Sequence, residues 1–174
     1  MRKNQINPMP EYFDRYIALA DDTNLLQALS ACLDELKNLP FEKLHALGNQ
    51  MYAPNKWTIK DIFQHIIDTE RIFAYRALAF SRGEKMKMLS FDEDAYATEA
   101  YANARELQDI IKELILVRES FIAMYKSFSN AMLLKSGQGF TGEYSVLAIG
   151  FLIAGHQRWH WKVIEEKYFP LLEK

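Results

Sequence analysis

The stretch YSVLAIGFLIAGHQRWHWKVIEEKY, residues 144 to 168, decides how this chain reads. Its first half is apolar almost without a break. Its second half carries two of the chain's four histidines, His156 and His160, one helical turn apart. On a helical wheel Ile149, Leu152, Ile153, His156, His160, Val163 and Ile164 share one face. The two imidazoles therefore point where core residues point. The pattern predicts a helix from about Ser145 to Tyr168, stopped at Pro170.

Working outward, three more segments show the helical period. In TNLLQALSACLDELKNLP, Leu25, Leu26, Leu29, Cys32, Leu33 and Leu36 recur at threes and fours, with Asp22 or Thr23 as a cap. TIKDIFQHIIDTERIFAYRALAFSRG opens on Thr58 with Asp61 three residues later, a capping-box pattern, and Gly83 is a natural stop. ARELQDIIKELILVRESFIAMYKSF places Leu107, Ile111, Leu114, Phe121 and Tyr125 on one face. FEKLHALGNQMYAPNKW, EKMKMLSFDEDAYATEAYAN and KSGQGFTGEYS read as connections, the second with room for a helical turn. Residues 1 to 22 read as an N-terminal arm or a short first turn. No segment alternates with period two over strand length. Four amphipathic helices of similar length predict an all-α chain, an up-down four-helix bundle in a single domain spanning residues 1 to 174.

The bulk numbers narrow the function. With 49% hydrophobic and 25% charged residues the chain has the composition of a folded soluble protein. A net charge of −2 gives no reason to expect nucleic acid or an anionic membrane as partner. The apolar run from Tyr144 to Gly155 is short of the roughly 20 residues a bilayer needs. A single cysteine, Cys32, allows no internal disulfide, and the N-terminus has no signal-peptide pattern, so a cytoplasmic protein is expected.

His65 lies on the core stripe of the second helix, with Ile62, Ile66 and Thr69. One inward histidine is more often a hydrogen-bonded core residue than a ligand. Three of them, from facing helices, are harder to leave to chance, because each buried imidazole needs a polar partner. The i, i+4 spacing of His156 and His160 lets both reach one ion, and His65 supplies a third nitrogen. Three neutral imidazoles leave a divalent ion open positions at which water or a thiol is activated. His45, in a connection, reads as a solvated residue.

Arg118 falls inside the apolar stripe of the third helix and is expected to pair with Glu70 or with an acid of FDEDAY. Asp92 and Glu93, in that acidic loop, are candidates for a base or a cosubstrate-orienting group, as is Arg118. Tyr52, Trp57 and Tyr96 line a pocket or close the core, while Trp159 and Trp161 lie off the ligand face, where helix packing or a dimer surface would use them.

The stretches YIALADDTNLLQAL, YAPNKWTIKDIFQHIIDTERIFAYRALAFSRG, LSFDEDAY and IAGHQRWHWKVIEEKY together resemble the DinB-like, or YfiT-like, superfamily over about Tyr16 to Tyr168. The family's usual GHERHH is here GHQRWH, with Gln157 and Trp159 departing at positions that are not ligands. The resemblance implies a four-helix fold, often a homodimer, with nickel or zinc held by three histidines that map onto His65, His156 and His160. It also implies the range of activities. Some members transfer a low-molecular-weight thiol (bacillithiol, mycothiol or glutathione) to a small-molecule substrate, and others are called metal-dependent hydrolases. The leading expectation is a metal-dependent S-transferase acting on an electrophile. Hydrolysis by a metal-activated water is the second expectation, and a non-catalytic metal-binding bundle the third.

Overall fold

The computed structural model describes residues 1–140 and 142–173. A 3-10 turn at Lys3–Gln5 leads to α1 (Asp14–Ile17), and the first long helix is α2 (Leu25–Lys37). Asn24, rather than Asp22 or Thr23, caps α2: its side chain accepts from the Gln27 amide at 3.0 Å. The connection that follows is not irregular throughout. Leu44 and Leu47 bury one side of a short helix, α3 (Phe41–Leu47), before Gly48 ends it.

The second long helix is α4 (Ile59–Arg82). Thr58 and Asp61 form the expected capping box at its start, and Gly83, at φ 89°, ends it in the left-handed region that glycine enters freely. The turn expected in the next connection is α5 (Glu93–Glu99), capped by the Asp92 side chain. The third long helix is α6 (Leu107–Lys126), followed by a single turn, α7 (Asn130–Leu133). In the glycine-rich connection, β1 (Ser136–Gly139) and β2 (Gly142–Ser145) pair antiparallel, Ser136 facing Ser145. Strands of four residues are too short for alternation to be visible in sequence, which is why a hairpin was not expected there.

Ser145 caps the fourth long helix, α8 (Val146–Val163). Beyond it Ile164–Tyr168 widens to a π-helical turn and Phe169–Glu173 tightens to a 3-10 helix. The expected stop near Pro170 is thus a change of winding, not an end. Among the described residues no helix is long and apolar enough to cross a membrane.

The four long helices form a bundle in which α2 and α4 each pack against α6 and α8. Contacts give the directions. Glu35 meets Arg158 and Cys32 meets the Ala154 carbonyl, so α2 and α8 run together. Gln64 meets Arg105 and Arg71 meets Glu113, so α4 and α6 also run together. His65, early in α4, meets His156, late in α8, so the two pairs oppose each other. The order along the bundle is up, down, down, up, and the connection holding α5 returns the chain from the end of α4 to the start of α6.

Two apolar clusters fill the interior. One holds Leu29, Phe73, Phe121 and Phe151, the other Leu36, Phe63, Leu114 and Ile164. Between them on α4, α6 and α8 comes a polar layer, which contains Glu70, Arg118, His156 and Gln157, all buried. The first 22 residues are built into the fold: Ile6, Phe13, Ile17 and Ala20 are buried in the first cluster, and α1 lies on α8.

Candidate metal centre

The polar layer ends in the three histidines. His65 projects from α4, His156 and His160 from successive turns of α8. His65 Nε2 and His156 Nε2 are 3.2 Å apart, and His160 Nε2 lies 3.0 Å from His156 Nε2. The three ligand nitrogens all fall within 4.8 Å of one another, and among the described residues no acid or cysteine joins them. Burial lowers the proton affinity of all three. It brings His65 down to about 4 and, with His65 adding to the effect, His160 to about 3. His156 is pushed well below its ordinary value, first by burial and then by His160 and His65. All three imidazoles are therefore neutral at pH 7, each with one ring nitrogen able to act as an acceptor or ligand.

Nitrogen separations near 3 Å suit ligands about 2.0–2.1 Å from a shared ion. Three like acceptors crowded this closely also repel unless a cation or shared protons lie between them. On donor type, spacing and charge the residues fit a divalent ion of the zinc or nickel kind.

Aromatic rings frame the cluster. Trp57 lies 4.7 Å from His65, centroid to centroid, and 6.4 Å from His160 with its plane tilted only 22°. Its carbonyl accepts from the Tyr168 hydroxyl. Tyr16 stands edge-on to His156 at 5.2 Å and to Trp159 at 5.4 Å. What brings Tyr16 there is Gly155. A Cβ at that position would lie 1.6 Å from the Tyr16 carbonyl oxygen, so only glycine lets the α1 backbone rest on α8 beside the ligand.

Behind the histidines Arg118 is held by Glu70 and Gln157, while the buried Thr69 hydroxyl has no hydrogen-bond partner among the described residues. Arg118 donates from Nε to Glu70 Oε1 at 2.7 Å and from Nη2 to Glu70 Oε2 at 3.0 Å. Its Nη1 donates to Gln157 Oε1 at 2.8 Å. Gln157 Nε2 in turn donates to the Cys32 carbonyl and to Glu35. On the outer side Arg158 reaches Asp21 and Glu35, tying α8 to α2 and to the N-terminal segment. Glu70 is thus the acid that meets Arg118, and the FDEDAY loop is elsewhere.

The other candidate residues are placed as follows. Asp92 accepts from the Asp94 and Ala95 amides at the start of α5. Glu93 begins the same helix, close enough to Arg15 and Tyr16 for their charges to be felt, and burial raises its carboxyl. Arg118 is 0% exposed, its guanidinium taken up by Glu70 and Gln157. His45 is exposed. Trp161 donates to Glu165, and Trp159 is 38% exposed beside Tyr16. Two contributors escaped the sequence reading, Tyr16 and Gly155. The signal was available for Gly155, since glycine inside a long helix costs about 1 kcal/mol against alanine and so marks a close approach.

Comparison with known proteins agrees with this architecture. In three dimensions the chain is similar to YfiT from Bacillus subtilis, described as "a probable metal-dependent hydrolase with an unusual four-helix bundle topology". The TM-score is 0.67 and the identity 14%, over 92% of this chain and 88% of that one, a likeness of fold. No protein of curated function matches the chain in sequence. The model of the DinB superfamily matches residues 21–164, which takes in all four long helices and all three clustered histidines. The chain belongs to the DinB superfamily.

Proposed function

We propose that this protein holds a divalent ion, nickel or zinc, on His65, His156 and His160, and uses it to activate a small-molecule thiol for S-transfer to an electrophilic substrate. The observation that carries the reading is the ligand set: three neutral imidazole nitrogens, two buried and one half-buried, drawn together with no acid among them. Such a set leaves the ion positions for an outside ligand, and a bound ion there lowers the pKa of a coordinating thiol.

The protein's own residues do the rest. Glu70 neutralises Arg118 and Gln157 fixes its other end, which keeps α8 and its two histidines in register against α4. Trp57 and Tyr16 wall the cluster with apolar rings and limit water around the reacting sulfur. In the transfer the sulfur lone pair forms the new C–S bond, the leaving group departs with its bonding electrons, and the thiol proton passes to solvent. Cys32 takes no part as nucleophile: it is 0% exposed, and burial raises its thiol to about 11.

Hydrolysis is the second reading, favoured by Glu93. This carboxyl, raised by burial and within electrostatic reach of Tyr16, would serve as a base toward an activated water. YfiT, with a similar fold, is described in those terms.

The two readings separate in one assay. Protein purified without an affinity tag and loaded with nickel or zinc is given glutathione, bacillithiol or mycothiol with an electrophile such as a chloro-dinitroarene, and free thiol is followed. Thiol consumption that disappears in His156→Ala supports transfer. Unchanged thiol, with ester turnover in its absence, overturns transfer in favour of hydrolysis.

A further inference from the structure

Arg15, an exposed residue, lies close enough to the histidine cluster for His156 to feel its charge. Its guanidinium carbon lies 4.0 Å from the centroid of the Tyr12 ring, 4.9 Å from Tyr16 and 5.7 Å from Trp159. Its guanidinium donates to the Tyr16 hydroxyl at 3.2 Å. Among the described residues no carboxylate forms an ion pair with it; Arg71, Arg105, Arg118 and Arg158 have one, while Arg2, Arg76 and Arg82, like Arg15, have none. Rings hold this cation in place and leave most of its N–H fork unused.

The placement is tied to the site by two contacts. Tyr16 carries the Arg15 guanidinium on one side and meets the His156 imidazole edge-on at 5.2 Å, so cation and ligand touch the same ring. Trp159, one residue before His160, closes the other side of Arg15. Backbone strain is spent on the arrangement: Tyr12 adopts φ 63°, a left-handed conformation costly for an aromatic residue, and so brings its ring under the guanidinium. Glu93 feels the charge of Arg15 but forms no ion pair with it.

We propose that Arg15 is the anion-recognition residue of this centre, and that the small molecule drawn to the three histidines carries a carboxylate which the guanidinium fork receives. The inference rests on the thiol reading of the site and adds the charge of the ligand to it. A thiol at the histidines and a carboxylate at Arg15 are the two ends of one small acidic molecule.

The test uses N-acetylcysteine and its methyl ester, which carry the same thiol with and without that charge, at a pH where both thiols are largely protonated. Binding to the zinc-loaded protein is followed by the fluorescence of its tryptophans, of which Trp57 and Trp159 flank the site. The wild type is expected to bind the acid at least about tenfold more tightly than the ester, the scale of one charge-assisted fork contact. Arg15→Gln should erase that preference while leaving ester affinity and metal stoichiometry unchanged, and Arg15→Lys should restore part of it. Equal preference in wild type and Arg15→Gln overturns the role of Arg15 alone. Failure of both acid and ester to bind the wild type overturns the thiol reading and this inference with it.

Discussion

Arg118 of α6 and Glu70 of α4 form a two-point ion pair at 2.7 and 3.0 Å in which both side chains are 0% exposed. Gln157 of α8 takes the third Arg118 contact and passes the connection to the Cys32 carbonyl and Glu35 of α2. One charge therefore ties together all four long helices. It does so at the residue next to His156, where a small rotation of α8 would pull two of the three ligand nitrogens apart.

Arg118→Ala leaves the Glu70 carboxylate buried without its partner, and the expected loss of stability is about 3–5 kcal/mol. Replacing both at once, Arg118→Leu with Glu70→Leu, removes the stranded charge and should cost far less. Urea denaturation of the three proteins measures this. A loss below about 1 kcal/mol in Arg118→Ala would mean that the pair is dispensable to the fold.

Gly155→Ala tests the seat of Tyr16. The added methyl would lie 1.6 Å from a backbone oxygen that no rotamer can move, so α1 must lift off α8. Overpacking of this kind typically costs about 1–3 kcal/mol, more than alanine regains in helix propensity. A fall in Tm of several degrees is expected, together with weaker metal binding as Tyr16 leaves His156. At Gly150 the same substitution meets the Leu25 methyls at 2.7 and 2.8 Å and the Tyr125 ring at 2.9 Å, side-chain atoms with room to give. Gly150→Ala should therefore be milder, and a Gly155→Ala protein as stable as wild type would show that the α1 contact carries no weight.

These contacts also mark what could be read in the sequence. Long helices announce themselves through repetition, so α4 was legible to both ends, Thr58 with Asp61 and Gly83. His65, His156 and His160 were legible for the same reason: a polar residue stands out on an apolar stripe. Short elements were not. In α3 only Leu44 and Leu47 are buried, too few to establish a period, and the cap of α2 fell on Asn24 because three capping residues stand in a row at Asp22, Thr23 and Asn24. Nor can a pattern along one segment show that α4 and α6 run parallel. Direction depends on where Gln64 meets Arg105, a contact across 41 residues.

Cys32 carries a pH prediction. Its thiol stands at about 11 in the folded protein against an ordinary 9.0, mainly through burial. A raised folded pKa means that the contribution to stability is complete below pH 9 and is lost as pH rises toward 11, where the unfolded chain releases a proton that the folded one keeps. Over those two units the loss amounts to roughly 2–3 kcal/mol. Tyr125, also raised by burial, adds to it above pH 10. Urea midpoints of the wild type should fall between pH 9 and 11 more steeply than those of Cys32→Ala. At pH 8 a thiol reagent should label Cys32 only after denaturation, and Cys32→Ala should keep whatever thiol-transfer activity the metal-loaded protein has. Rapid labelling of the native protein would contradict the burial on which that expectation rests.

The last prediction concerns the ion itself. An ion that binds the folded chain and not the unfolded one stabilises it by RT ln(1 + [L]/Kd), about 2.7 kcal/mol at a hundredfold excess over Kd. For a chain of 174 residues that corresponds to a rise in Tm of roughly 5–10 °C. Adding zinc or nickel to metal-free wild type should produce this rise with about one ion per chain. His160→Ala leaves the buried pair at His65 and His156 but removes the third nitrogen, so it should bind more weakly and shift far less. His45→Ala, which removes an exposed imidazole away from the cluster, should behave as wild type. Equal thermal shifts in all three proteins would place the ion on the surface rather than between α4 and α8, and both the metal centre and the thiol chemistry built on it would fall together.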